Sequence, residues 1–95
     1  MPRSLYVLSY DISNDKRRRK LVAIMEGVAR RVQYSVFEAC LSPGALRKII
    51  DKSAPFVKKE EGDSLRIYRV CESCRKHCVQ IGGAVIDWES DIFFE

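Results

Sequence analysis

The chain begins with an apolar run that predicts a buried strand and the helix after it. Leu5–Asp11 is aliphatic and aromatic, without polar alternation before Ser9, as in a central strand covered on both faces. Three good helix-capping residues follow, Ser13, Asn14 and Asp15. Apolar residues then recur at helical spacing, at Leu21, Ile24, Met25 and Val28. We therefore predict a first helix over roughly Asp15 to Ala29.

The middle of the chain predicts a long strand and a second helix. From Arg31 to Ser42 the side chains show the two-residue period of one continuous strand. Ser42 followed by Pro43 combines an N-cap with proline at the first helical position. Leu46, Ile49 and Ile50 form one apolar stripe after it. The second helix is expected to end near Ser53.

The last third predicts two shorter strands. Residues 58–63 are a charged loop with a glycine turn, and Ser64–Cys71 has the β-branched and aromatic content of a third strand. A polar link, Glu72 to His77, leads to Cys78, Val79 and Ile81. We expect these last residues to form a short fourth strand that ends at Gly82-Gly83.

These segments predict a single α+β domain over residues 1–95, because a chain of this length has no room for a second core. Their order is closest to a ferredoxin-like βαββαβ sandwich, with helices on one face of a sheet that contains antiparallel strands. Residues 84–95 are too apolar to extend into water. We therefore expect them to add as an extra C-terminal strand to the sheet of a partner chain.

Charge is distributed unevenly along the chain. Seventeen Lys and Arg against thirteen Asp and Glu give a net charge of +4. Residues 1–31 hold eight basic and three acidic residues, hence +5, and the remainder holds nine basic and ten acidic residues, hence −1. A basic front suits phosphates, and an acidic, apolar tail suits a partner subunit. Since no run of about 18 apolar residues occurs, we expect a soluble cytoplasmic protein with no membrane partner.

The sharpest chemical feature is Tyr10-Asp11 at the end of the first strand, followed by the basic run Lys16–Lys20. A carboxylate beside several cations can hold a divalent metal ion and a phosphodiester. The same residues can equally be a helix cap and a solvated helical face. One carboxylate is a poor Mg²⁺ site, but a two-fold dimer would bring two copies of Asp11 together.

A second candidate is the cysteine cluster Cys71, Cys74 and Cys78, with His77 inside it. Cys-x-x-Cys is half of a zinc site, which needs four nitrogen or sulfur ligands, generally from two separated pairs. A redox dithiol is a further alternative. The absence of a second pair from the sequence favours reduced structural thiols, which are usual in the cytosol.

Five segments in this order resemble the CRISPR-associated protein 2 family. They are the apolar strand ending in Tyr10-Asp11, the basic helix, Arg31–Glu38 (RVQYSVFE), Gly62–Tyr68 (GDSLRIY) and Ile81-Gly82-Gly83. The resemblance covers almost the whole chain. It implies a ferredoxin-like homodimer whose C-terminal strand extends the partner's sheet, and a role in acquiring CRISPR spacers together with the integrase, CRISPR-associated protein 1.

The resemblance also implies an Mg²⁺-dependent endonuclease that cleaves RNA, DNA or both. By this resemblance Asp11 and Tyr10 are the catalytic residues, and Asp11 from both chains holds the metal. The residues expected to contact duplex DNA or single-stranded RNA are Arg17, Arg18, Arg19, Lys20, Arg31 and Phe37. Lys20 stands where some relatives carry Arg, so a bidentate phosphate contact is not expected there.

Two alternatives to a nuclease in spacer acquisition stay open at the level of sequence. A non-catalytic scaffold that grips duplex DNA needs only contacts from the basic face to the phosphate backbone. A ribonuclease toxin similar to virulence-associated protein D would share the fold and the strand-end carboxylate.

Overall fold

The computed structural model describes residues 3–83 and contains four strands and three helices in that range. The elements are β1 (Ser4–Asp11), α1 (Asp15–Glu26), β2 (Arg30–Gln33), β3 (Val36–Leu41), α2 (Pro43–Ser53), β4 (Ser64–Val70) and α3 (Glu72–Arg75). Two single 3₁₀ turns, Ala54–Phe56 and Lys59–Glu61, connect α2 to β4. The tail and extra strand predicted for residues 84–95 lie outside the described residues.

The four strands form one sheet in the order β2-β3-β1-β4. Each pair of neighbours is antiparallel, and β1 is central, hydrogen-bonded to β3 on one side and to β4 on the other. β1 and β2 therefore run in the same direction, with β3 between them. This split β-α-β connection, repeated around α2, is the ferredoxin-like arrangement, so the predicted fold class is confirmed.

The core lies between one face of the sheet and the two long helices. Strand alternation directs Tyr6, Leu8 and Tyr10 of β1 toward this side, where all three are buried. Leu21 and Met25 of α1 are four residues apart, so they share a helix face and are completely buried. No helix within residues 3–83 is long and apolar enough to span a membrane.

The predicted long strand from Arg31 to Ser42 is wrong, because it is a hairpin of two strands. β2 ends at Gln33 and β3 begins at Val36, with an irregularity in their register between Arg31 and Gln33. The chain turns at Tyr34 and Ser35, whose carbonyl groups both accept hydrogen bonds from Tyr10 of the central strand. Those bonds hold the turn, although the side-chain alternation continues through it.

Two smaller expectations also need correction. α1 ends at Glu26 rather than near Ala29, because the N–H groups of Val28 and Ala29 both donate to the carbonyl of Met25 and turn the chain. The polar link after β4 forms the short helix α3, and no strand occupies Cys78–Ile81. That segment instead borders the sheet face that the long helices leave uncovered.

Candidate nucleic-acid and metal site

Asp11 is exposed at the end of the central strand. It is the last residue of β1 and pairs with Ser64 of β4, so its backbone is fixed by the sheet. The side chain of Asn14 caps α1 three residues later by accepting a hydrogen bond from the N–H of Arg17 at 2.9 Å. Asp11 therefore does not cap the helix, and its carboxylate is accessible to a ligand.

Tyr10 is buried, with 5% of its surface exposed. Its hydroxyl donates to the carbonyl oxygen of Tyr34 at 2.9 Å and accepts from Nη2 of Arg31 at 3.3 Å. Its ring packs against Phe37, with the ring centroids 6.4 Å apart. These contacts make Tyr10 a residue that positions Arg31 and the β2–β3 turn.

Arg31 lies over the aromatic side chains of that turn. Its Nε and Nη2 atoms both donate to the carbonyl of Tyr34, at 3.0 and 2.6 Å. The guanidinium carbon is 5.2 Å from the ring centroid of Tyr34 and 5.5 Å from that of Phe37, within the range of a cation–π contact. The charge of Arg31 is thus held in one place at the protein surface.

Arg17 lies in a largely buried ion pair rather than on the open surface. Its Nη2 atom is 2.8 Å from Oδ2 of Asp63 and 3.0 Å from Oε1 of Glu61. The Asp63 side chain is only 1% exposed and also accepts hydrogen bonds from the N–H groups of Lys58 and Ser13. The Lys58 N–H and the Arg17 guanidinium hold the pKa of Asp63 below its usual range. Arg17 therefore ties α1 to the loop before β4.

Arg18 supports the turn that joins β1 to α1. Its Nη1 atom donates to the carbonyl of Ile12 at 3.1 Å, and its Nη2 atom pairs with Asp15 in the first turn of the helix. The side chain remains a quarter exposed. Together with Tyr10 and Arg31, it borders a surface depression of about 460 Å³. Arg19 borders the same depression, so the structure brings four of the predicted site residues together there.

The outward cations of α1 border a second depression, of about 670 Å³, between α1 and α2. Its walls include the cations Lys16, Arg19, Lys20 and Lys52 beside the apolar side chains Ile24 and Phe56. In the part of the chain that the structure describes, none of these four cations forms an ion pair. Arg19 borders both depressions and so joins them. We call Lys16, Arg19, Lys20 and Lys52 the cationic groove.

The predicted nucleic-acid contacts did not include Lys16 or Lys52, and the sequence gives no local signal for Lys52. It lies in the last turn of α2, and only the packing of α2 beside α1 brings it to Lys16 and Lys20. The basic run did contain Lys16, so its spacing from Lys20, one helical turn, was the available signal.

Phe37, predicted to contact nucleic acid, requires correction. It is completely buried, and it pairs with Leu8 across the central strands. Strand alternation directs its ring toward the helices, where it packs with Tyr10 in the core. A buried ring has no face free for a base, so Phe37 stabilises the fold beneath Arg31.

The described residues offer a limited site for Mg²⁺. No group of three or more acidic, histidine or cysteine side chains within residues 3–83 is arranged to hold a metal ion. Mg²⁺ in proteins is often held by one or two carboxylates, with water and substrate phosphates as the other ligands. The exposed carboxylate of Asp11 fits the first of these roles.

Comparison with known proteins decides the family. Residues 4–78 match the family model described as CRISPR associated protein Cas2. The chain belongs to the Cas2 family. It is 46% identical over 89 residues to a protein of Chloroflexus aurantiacus named CRISPR-associated endoribonuclease Cas2 1, covering 93% of this chain and 96% of that protein.

Solved structures show the same relationship. A hypothetical protein from Thermus thermophilus matches the Cas2-family chain with a TM-score of 0.73 and 33% identity, covering 86% of this chain and 93% of that one. A chain from a structure described as a partial Cas6-RT-Cas1–Cas2 complex matches with a TM-score of 0.68 and 30% identity, covering 82% and 90%. The predicted family is confirmed, and the nuclease class agrees with the names of the curated relatives.

Proposed function

We propose that this Cas2-family chain acts in CRISPR adaptation as a homodimer that binds nucleic acid, associates with the integrase CRISPR-associated protein 1 and cleaves phosphodiester bonds. The family match supports adaptation, and the neighbour from a complex that contains Cas1 supports the integrase as partner. The curated relatives are named endoribonucleases, which supports cleavage of RNA. The same names favour this role over the toxin alternative.

The observation that carries the proposal is an exposed strand-end carboxylate, Asp11, on the same domain as the cationic groove, whose cations form no ion pair within residues 3–83. Lys and Arg side chains attract a phosphate backbone without regard to its sequence. Arg18 and Arg31 border the depression beside Tyr10, and their hydrogen bonds fix them in place. Fixed cations stabilise charge that develops on a phosphate without having to reorganise.

We propose that Asp11, with its counterpart in a second copy, holds Mg²⁺. When bound, the ion supplies a Lewis acid for the charge on the scissile phosphate. Tyr10 keeps Arg31 oriented through its hydroxyl, and Phe37 supports both from the core. The phosphate chain is proposed to follow the cationic groove.

The sheet face without helices supports a homodimer. Val7 of β1 pairs with Tyr68 of β4 and Glu38 of β3, and alternation directs all three away from the core. Tyr68 is 54% exposed there. An exposed aromatic side chain beside an apolar one, here Tyr68 beside Val7, is typical of a surface that another subunit covers.

The nuclease proposal is tested by cleavage of labelled single-stranded RNA and duplex DNA with Mg²⁺ or with a chelator. Asp11→Asn removes the charge but keeps the shape of the side chain. It is expected to slow cleavage by about 100-fold or more, the scale on which loss of a single electrostatic stabiliser slows catalysis. Asp51→Asn, at an exposed carboxylate of α2, is the matched control and should cleave like the wild type. Equal cleavage by Asp11→Asn and the wild type would contradict the proposal.

A non-catalytic scaffold for duplex DNA is the second candidate, favoured because no group of three or more possible metal ligands occurs within residues 3–83. The scaffold predicts that neither the wild type nor Asp11→Asn cleaves RNA or DNA. It also predicts that Asp11→Asn still binds duplex DNA and copurifies with the integrase. Loss of both binding and copurification in Asp11→Asn, with the fold intact, would contradict the scaffold.

A further inference from the structure

Two cysteines after β4 lie outside everything assigned so far. Cys71 immediately follows the strand and is the residue before α3, and Cys74 lies within that single helical turn. Residues three apart on a helical turn face the same side. The side chains of Cys71 and Cys74 therefore lie on the same side of the turn that α3 forms.

The surroundings distinguish these two thiols from the other cysteines. Cys71 Sγ is 3.3 Å from the hydroxyl oxygen of Ser73, whereas Cys78 Sγ donates to the backbone carbonyl of Cys74 at 3.5 Å. Cys40 is buried in the sheet. Cys74 is exposed and Cys71 is half-buried, so a small reagent can reach the pair.

The contacts make the two thiols unequal. Hydrogen bonds from the Cys74 thiol, from the Ser73 hydroxyl and from the Cys74 N–H lower the pKa of Cys71 to about 7. The hydrogen bond with Cys71 raises the pKa of Cys74. At neutral pH a large share of Cys71 is therefore thiolate, the form that attacks a disulfide, while Cys74 holds its proton. This is the division of labour between an attacking and a resolving thiol.

A metal site fits the same residues less well. A structural zinc ion needs four ligands in tetrahedral geometry. The described residues bring no three of Cys71, Cys74, His77 and Cys78 into such an arrangement. The thiol of Cys78 is directed at a backbone carbonyl instead.

We infer that Cys71 and Cys74 form a reversible intrachain disulfide by exchange with a low-molecular-weight disulfide such as oxidised glutathione. The Cys71 thiolate attacks one sulfur of the small disulfide, and the S–S bond of that molecule breaks. One half leaves as a thiolate, and the other half stays bonded to Cys71 as a mixed disulfide. Cys74 then loses its proton to solvent and attacks the Cys71 sulfur, and the second small thiolate leaves. The two protein thiols are oxidised by two electrons, and the small disulfide is reduced to two thiols.

The crosslink would lie where the chain leaves the sheet. After α3, residues 78–83 border a depression of about 510 Å³ on the uncovered sheet face, together with Leu5, Val7 and Val70. A disulfide across α3 fixes the direction in which this segment departs from β4. The pair is thus placed to couple the redox state to the position of residues 78–83, which border that depression.

The test incubates the full-length protein with oxidised and reduced glutathione in varied ratio, blocks the remaining thiols and digests it with trypsin. Cleavage after Arg69 and Arg75 releases residues 70–75, which contain Cys71 and Cys74 but neither Cys40 nor Cys78. We expect the fraction of this peptide that carries two blocking groups to fall as oxidant increases. A form without blocking groups should replace it, lighter than the unblocked dithiol peptide by about 2 Da, the mass of two hydrogens, and reductant should reverse the change.

Three variants make the assignment specific. Cys71→Ser and Cys74→Ser should abolish the intrapeptide crosslink, and Cys78→Ser should leave it unchanged. Alkylation of Cys71 should be half-maximal near pH 7, and a further variant, Cys74→Ala, should shift that midpoint upward, because it removes the main hydrogen-bond donor. The charged neighbours Glu72 and Arg75, paired at 3.5 Å, remain in all three variants.

Several results would overturn the inference. They are an unmodified peptide at every glutathione ratio, a disulfide that joins two chains on a non-reducing gel, and a crosslink that requires Cys78. Stoichiometric retention of Zn²⁺ that protects all three cysteines from alkylation would replace the dithiol with a metal site.

Discussion

The consecutive cations of α1 include a buried position and a groove position with different surroundings. Arg17 is held between Asp63 and Glu61, and its side chain is 16% exposed. Lys16 and Lys20, its neighbours on the helix, border the cationic groove and form no ion pair within residues 3–83. A run of charge in the sequence is therefore not one surface, and the position of each residue around the helix decides its role.

Helical geometry explains the division. Arg17 precedes Leu21 by one turn and Met25 by two, so it continues the buried stripe of α1 toward the loop before β4. Lys16, one residue earlier, is rotated by about 100° and continues through Lys20 along the outer face. The buried position is stable only because a carboxylate meets the guanidinium there.

The largest effect should come from removing the buried cation. Arg17→Met keeps most of the side-chain length but leaves the Asp63 carboxylate with backbone donors alone. We expect the midpoint of thermal unfolding to fall by on the order of 10 °C. Arg19→Met is the matched control in the groove and should shift the midpoint by no more than about 2 °C. Thermal unfolding would be followed by circular dichroism. Equal midpoints for the two variants would show that Arg17 and Arg19 do not differ in their contribution to stability.

Acid should act on the same ion pair. The pKa of Asp63 is lower in the fold than its ordinary value of 3.8, mainly because of the Lys58 N–H and then Arg17. The unfolded chain therefore takes up a proton more readily, so this stabilisation is complete well above pH 3.8 and is lost as pH falls through the folded pKa.

Asp63→Asn should accordingly be less stable than the wild type at pH 7 and should lose less further stability in acid. The measurement is the unfolding midpoint from about pH 7 to pH 2, over which the curves of the two proteins should converge. Parallel curves would show that Asp63 does not supply the acid sensitivity.

Two tyrosines show a similar difference between a buried, hydrogen-bonded side chain and an exposed one, and the expected effect on stability is smaller. Tyr10→Phe removes a buried hydroxyl that donates to the Tyr34 carbonyl, whereas Tyr68→Phe removes one from an exposed ring. Denaturant unfolding should show a loss of about 1 kcal/mol for Tyr10→Phe and less than about 0.5 kcal/mol for Tyr68→Phe. A loss of equal size in both would mean that the hydroxyl of Tyr10 does not hold the turn.

Local patterns predicted much of this fold, and distant partners account for most of the rest. The boundaries of β1 and α2 and the caps at Asn14 and Ser42 follow from short-range chemistry, which the sequence displays directly. The turn at Tyr34 and Ser35 could not be predicted in this way, because its hydrogen bonds come from Tyr10, a distant residue. Tyr10 and Tyr34 are 24 residues apart in the sequence. Alternating side chains continue through the turn and conceal it.

The candidate site likewise contains residues whose role short-range sequence patterns predict and residues whose role depends on distant partners. Asp11 is predictable as a carboxylate at a strand end, and the structure leaves it exposed. The structural role of Arg17 depends on Asp63, 46 residues later, and nothing near Arg17 in the sequence announces that partner. Phe37 matched a family pattern, but its burial follows from which face of β3 packs on the helices.

The most direct test of the division is the salt dependence of duplex-DNA binding. Affinity for a labelled duplex would be measured over a range of salt concentrations for the wild type, Arg17→Met and the triple variant Lys16→Gln/Arg19→Gln/Lys20→Gln. Each lost phosphate contact lowers the slope of log affinity against log salt by about 0.9. For the triple variant we predict a slope of log affinity against log salt that is shallower than that of the wild type by about two to three for each chain. Arg17→Met should have the slope of the wild type under conditions in which it is folded. An unchanged slope in the triple variant, or an equal loss in Arg17→Met, would contradict that division.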